Sequence, residues 1–149
     1  MQKADEFLFP DKVIKDLSLY GNQWIPLGID ASLQERVKIC AAFDKFCNGG
    51  SIMHINVDKP FDTFEKAWDL LNWVASQGVT YFAFNGKISQ CEDSHNFYGE
   101  TCPVCGKSKA VEFTRVVGFY VPTTSWSKAR KEEFAKRKWM PLNDNGILN

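Results

Sequence analysis

Four residues within one short stretch have the types and spacing to hold a metal ion: Cys91, His95, Cys102 and Cys105. Cys102-Pro103-Val104-Cys105-Gly106 has the form of a knuckle, in which two thiolates three residues apart face one ion. Pro103 pre-sets the turn, and Gly106 is expected to let backbone N–H groups approach the sulfurs without a Cβ in the way. Cys91 and His95, four residues apart, can converge from one helical turn or a tight loop. The resulting Cys-x3-His-x6-Cys-x2-Cys set suits tetrahedral zinc. Four protein ligands leave no open position for water, so the ion would be structural and not hydrolytic. It would cross-link a loop that has little apolar content of its own. Downstream, Gly118 interrupts the β-branched and aromatic run Arg115-Val116-Val117-Gly118-Phe119-Tyr120-Val121. A lone glycine in such a run marks a bulge, a bend or a point of close backbone approach.

The elements that must position these residues can be read along the chain. Val13, Ile14 and Leu17 share a face at helical spacing, predicting a short helix after Pro10. Gly21-Asn22-Gln23 breaks it. Trp24–Ile29 follows as an extended apolar segment in which Pro26 forbids a central strand. Ser32 and Glu35 form a capping box, and Leu33, Val37, Cys40, Ala41 and Phe43 or Asp44 then keep the helical period to about Phe46. Cys40 reads as a small core residue; Cys47 lies near the helix end, and neither has a base spaced beside it. Asn48-Gly49-Gly50 ends the helix.

Residues 51–57 alternate like a strand, with Ile52, His54 and Asn56 opposite Met53, Ile55 and Val57. His54 is either a hydrogen-bonded structural histidine or a polar residue facing an active-site interior. Asp62 or Thr63 can cap a helix whose apolar stripe would be Phe61, Phe64, Trp68, Leu71 and Val74 or Ala75, closed by Gln77-Gly78. Residues 79–84 form an apolar run short enough for a buried strand, ended by Asn85-Gly86. The order strand–helix–strand favours a parallel pair in an α/β setting. Thr123-Thr124-Ser125 would cap a last, highly charged helix from Trp126 to about Lys138, and the polar tail after Leu142 is expected to be mobile.

Composition bounds the function classes. The chain has 149 residues, 44% of them apolar and 14% aromatic, enough for a packed core. Eighteen basic and 18 acidic residues cancel, which argues against a nucleic-acid surface. No apolar run is long enough for a membrane span, and the N-terminus has no signal-peptide layout. Five cysteines, three of them in a metal-like cluster, suit a reducing cytoplasm better than a disulfide framework.

The knuckle, the Arg115–Tyr120 segment and the following Trp126-Ser127-Lys128-Ala129-Arg130-Lys131-Glu132-Glu133-Phe134 together resemble the C-terminal end of anaerobic (class III) ribonucleoside-triphosphate reductases. Cys47-Asn48-Gly49-Gly50, with His54 and Asn56 after it, is similar to the family's sequence before its last barrel strands. The resemblance covers roughly residues 17–145. It implies that Gly118 carries a stable glycyl radical and that the cysteine cluster binds zinc. That family typically uses two Cys-x2-Cys pairs, and here Cys91 and His95 stand in place of the first.

The implied fold is α/β: residues 1–85 supply the C-terminal strands and helices of a glycyl-radical β/α barrel. Residues 86–110 form a small zinc-binding loop domain. Residues 111–149 form the radical loop, C-terminal helix and tail. The implied function is ribonucleotide reduction to deoxyribonucleotides, as an oxidoreductase. A companion N-terminal part would supply the catalytic cysteine and bind the ribonucleoside triphosphate. A radical S-adenosylmethionine activase with an iron–sulfur cluster would abstract hydrogen from Gly118. A chain of this length cannot close such a barrel, so it would be inactive alone and act in the cytoplasm with the remainder. Two alternatives stand beside this: a glycyl-radical replacement part for an oxygen-damaged enzyme, and a zinc-ribbon interaction module without radical chemistry.

Overall fold

The computed structural model describes residues 21–116 and 118–141. The helix expected after Pro10 and the tail after Leu142 lie outside them. The described residues form a mixed α/β chain. Its elements are α1 (Leu33–Asp44), β1 (Met53–Asn56), α2 (Phe64–Ser76), β2 (Phe82–Asn85), β3 (Ile88–Gln90), β4 (Asn96–Phe97), β5 (Val111–Arg115), β6 (Tyr120–Pro122) and α3 (Lys128–Lys136). A 3₁₀ turn over Thr123–Ser125 precedes α3. Two sheets result: a parallel pair β1-β2 and an antiparallel sheet in the order β4-β3-β5-β6.

The β1–α2–β2 unit is parallel as its order implies, with Met53 opposite Phe82 and Asn56 opposite Asn85. All four residues of β1 are buried, so both of its faces are covered. The main core joins β1 to α1 and α2 through Leu33, Val37, Cys40, Ile55, Leu70 and Val74. Ile55 and Val74 are fully buried, each contributing about 1.5–3 kcal/mol of apolar burial. On its other edge β1 meets no strand among the described residues. The Gln23 carboxamide donates from Nε2 to Ile52 O at 3.0 Å and accepts the His54 N–H at 2.8 Å. Farther along, Met140 N donates to Asn56 O at 2.9 Å, and Asp58 N to Met140 O at 3.1 Å.

Helix α1 opens on the expected capping box: Glu35 N–H donates to Ser32 Oγ, and the Glu35 carboxylate accepts the Ser32 N–H. It ends at Asp44, two residues before the expected Phe46. The Asp44 carboxylate instead accepts the N–H and hydroxyl of Thr80 at 3.0 and 3.1 Å, tying the helix end to the entry of β2. Arg36 is buried; it donates to the carbonyls of Ile25, Pro26, Ile29 and Ala31 and folds that loop around itself.

Three expectations about helix faces and ends need correction. On α2, capped by Thr63, the buried residues are Leu70 and Val74, while Phe64 is 71% and Trp68 51% exposed. Of the expected stripe, Val74 is buried and Phe61 packs on the core, while Phe64, Trp68 and Leu71 face outward; Phe64 and Trp68 stack on each other at 5.8 Å. On α1, of Phe43 and Asp44 it is Asp44 that is buried, while Phe43 is exposed and stacks on Trp24 at 4.8 Å. The last helix begins at Lys128 with Ser127 as its cap, whose hydroxyl accepts the Arg130 N–H. Trp126 lies before it, buried against Phe134 and under the Arg137 guanidinium.

A candidate zinc centre and the Gly118 loop

The four expected ligands come together from two tight hairpin turns. The first joins β3 to β4, which pair through Ser89–Phe97 and Gln90–Asn96. Within it Cys91 N–H donates to His95 O at 3.2 Å and Ser94 N–H to Cys91 O at 3.0 Å. Ser94 takes a left-handed φ of 62° to close the turn. Cys91 and His95 therefore converge from a tight loop. The second turn is the knuckle, in which Cys102 N–H donates to Lys107 O at 2.8 Å and Gly106 N–H to Cys102 O at 2.9 Å. Gly106 is needed for its φ of 72°; the space where a Cβ would stand is open. The reason for glycine is thus backbone conformation and not clearance around the sulfurs.

The donor atoms of Cys91, His95, Cys102 and Cys105 all lie within 4.8 Å of one another. The two sulfurs of Cys91 and Cys105 are 3.6 Å apart. The His95 Nδ1 lies 3.6 Å from the Cys91 sulfur and 3.7 Å from that of Cys102. Zinc with Zn–S bonds of about 2.3 Å and Zn–N bonds of about 2.0–2.1 Å gives tetrahedral edges of about 3.6–3.8 Å. Donor types and spacings both fit that ion. Burial works against the Cys102 thiolate, but the N–H groups of Cys105 and Val104 aimed at its sulfur outweigh it and its pKa is lowered. At Cys105 the Lys107 N–H favours the thiolate, yet burial and the neighbouring Cys102 and Cys91 sulfurs push the thiol up to about 11. Cys91, Phe97 and Cys102 form a small core of their own beneath the site.

The same sheet carries Gly118. Strand β3 pairs with β5 on its second side, and β5 with β6 through Thr114–Val121 and Arg115–Tyr120. Gly118 lies in the connection between β5 and β6, so the glycine is a bend between two strands and not a bulge within one. Around Gly118 the described apolar side chains are unevenly covered: Val116 and Val121 are half-buried. Phe119 is 82% exposed, and beyond the two neighbouring residues no atom of the described residues lies within 4 Å of where a Gly118 Cβ would stand.

Arg115 donates from Nη1 to the Gly118 carbonyl and stacks on the Tyr120 ring at 4.7 Å. The Arg115 carbonyl accepts from Arg137 Nη1 at 3.1 Å, and Arg137 is held by both Glu133 oxygens at 2.8 and 2.9 Å. Beneath the loop lies a buried polar cluster that the sequence reading missed. Asn85 Oδ1 accepts from Thr114 Oγ1 and from Arg115 N–H, each at 3.0 Å, and Asn85 Nδ2 donates to Asn56 Oδ1 at 2.8 Å. By its sequence context Asn85 reads as ending the strand before it, whereas it is the last, fully buried residue of β2. The available signal was Asn56, a polar side chain in a strand otherwise rich in apolar ones.

His54 is buried in β1, in a small space walled by Arg36 and Cys40. Cys40 is a core thiol: burial and then the Asp44 charge push it up to about 12, which removes it as a nucleophile at neutral pH.

A family model described as anaerobic ribonucleoside-triphosphate reductase matches residues 1–139. Among solved structures, an anaerobic ribonucleotide reductase is 43% identical with a TM-score of 0.80, covering 93% of this chain and 22% of that one. The anaerobic ribonucleotide reductase from Thermotoga maritima with glycerol in the active site is 44% identical with a TM-score of 0.72, covering 89% and 22%. The same enzyme with MES in the active site is 44% identical with a TM-score of 0.70, covering 85% and 21%. The chain thus spans 21–22% of the length of those proteins. No curated protein sequence matches it.

Proposed function

The chain belongs to the anaerobic ribonucleoside-triphosphate reductase family, and from that membership we propose that it is the C-terminal, radical-bearing part of such an enzyme. Gly118 is the radical residue. Cys91, His95, Cys102 and Cys105 hold a structural zinc ion. Residues 1–85 complete the barrel of a companion part, residues 86–110 form the zinc loop, and residues 111–149 present the radical. The companion holds the ribonucleoside triphosphate and the cysteine that attacks it, and the whole acts in the cytoplasm. Among the described residues no helix is long and apolar enough to cross a membrane.

The observation that carries the reading is the shared sheet. The strand leading into the Cys3His cluster, β3, is hydrogen-bonded to the strand leading into Gly118, β5. A zinc-fixed hairpin at one end of that ladder therefore holds the glycine bend at the other. Zinc, when bound, supplies a cross-link between two turns that have little apolar content to hold them. Loss of one α-hydrogen, taken by the activase, leaves the Gly118 α-carbon planar and shares its unpaired electron with the adjoining amide groups. Glycine can flatten without a side chain striking its neighbours. The Arg115 guanidinium at the Gly118 carbonyl sits where the delocalised electron gains density, and it orients that carbonyl. The open surroundings of Gly118 are filled by the companion, which excludes water and oxygen in the assembled enzyme.

The test is anaerobic reconstitution of the chain with its companion and activase, read by electron spin resonance, followed by air and mass measurement of the products. The expected result is a doublet that disappears as the chain breaks at Gly118. G118A should give neither doublet nor break, and because its Cβ meets open space it should fold normally. An intact wild-type chain with no signal, while the activase still cleaves its own cosubstrate, would overturn the radical role and favour a zinc-ribbon interaction module.

A further inference from the structure

We propose that Asn85 is a positioning residue for the Gly118 loop, setting its depth and register against the parallel strands; this rests on the radical reading above. Asn85 is the last residue of β2 and is fully buried, as is Thr114; Asn56 is 1% exposed. Its carboxamide is used on both sides. The oxygen takes two donors from β5, and the nitrogen donates into β1. One side chain therefore joins both parallel strands to the strand that leads into the loop.

The connection runs on to the reacting atom in two steps. Asn85 fixes the Arg115 backbone N–H, and the Arg115 side chain holds the Gly118 carbonyl. From the other strand of the hairpin, Tyr120 Oη accepts the Gly86 N–H at 3.2 Å, beside Asn85 in the chain. Both flanks of the bend are thus anchored to the end of β2. Apolar packing at this point would hold the sheets together equally well but would let the hairpin slide, because dispersion contacts have no direction. Hydrogen bonds to one carboxamide oxygen are directional, and a one-residue slip of β5 would present a carbonyl where the Arg115 N–H now points. The buried cluster therefore specifies where Gly118 stands relative to β1 and β2, the strands through which the companion's barrel is continued.

The experiment compares wild type, N85A, T114V and T114S, each reconstituted anaerobically with companion and activase. Zinc content, thermal unfolding, the doublet per chain and nucleotide turnover per radical are recorded. T114V keeps the shape of Thr114 and removes one donor to Asn85; T114S keeps the donor and removes only a methyl group. The expected result is that N85A and T114V keep wild-type zinc content, and that the doublet or the turnover per radical falls at least about tenfold. T114S is expected to restore it. If N85A fails to fold, T114V against T114S decides. Folded, zinc-loaded T114V with wild-type doublet and turnover would overturn the proposal. A wild-type chain without a doublet would overturn the radical reading itself, which separates the two failures.

Discussion

Asp44 is a buried carboxylate with a structural task, tying the end of α1 to the entry of β2. Burial raises its pKa, but hydrogen bonds from the Thr80 N–H and hydroxyl, Ser51 and Cys40 outweigh that and hold it below the usual carboxylate range. A depressed folded pKa means that the stabilisation is present above the unfolded pKa, near 4, and is lost as pH falls through the folded value. D44N should therefore lower stability by about 1–3 kcal/mol at neutral pH. It should also flatten the pH dependence of unfolding below about pH 4, as measured by denaturant titration across pH. An unchanged acid limb in D44N would place that pH dependence elsewhere. At this scale the convergence of the four candidate ligands was legible because ligand chemistry restricts both residue type and spacing. The Asn56–Asn85–Thr114 cluster was not, because its members are far apart in the chain and each is individually ordinary in a strand or turn.

Among the elements, α2 separates what a helix buries from what its composition suggests. Its start, its end and its place between parallel strands follow from Thr63, Gln77-Gly78 and the flanking strand runs. Its buried face does not, because two apolar stripes compete and the larger aromatic one faces outward. L70A should destabilise the zinc-loaded chain by about 2–5 kcal/mol through the cavity it leaves. W68A should change it by less than about 0.5 kcal/mol, both read by chemical denaturation. A cost at Trp68 equal to that at Leu70 would mean that the outer face is covered in solution. Helix α3 illustrates the converse: its charged run is visible in the sequence, but whether Trp126 belongs to the helix or precedes it depends on which hydroxyl caps it, and Ser127 does.

For the molecule as a whole, two cores of different kinds lie side by side. The one between β1, α1 and α2 is built from nine buried apolar residues. The one under the proposed zinc site has three buried members, two of them candidate ligands. Chelation should therefore have a local effect. Hydrogen exchange is expected to speed up through residues 88–115 when zinc is removed, while amides in β1 and α2 keep their protection. Uniform loss of protection across both cores would show instead that the metal holds the entire chain.

The carboxamide of Gln23 has a consequence for how the β1-β2 pair can be extended. It occupies Ile52 O and the His54 N–H, and Met140 occupies the next positions along the same edge. Among the described residues β2 has β1 as its one strand neighbour. The pair is therefore polar in its capacity to grow: a further strand adds beside β2, while addition beside β1 requires Gln23 to be displaced first. One side-chain amide gives the ribbon a closed side and an open side, and with them a direction of assembly.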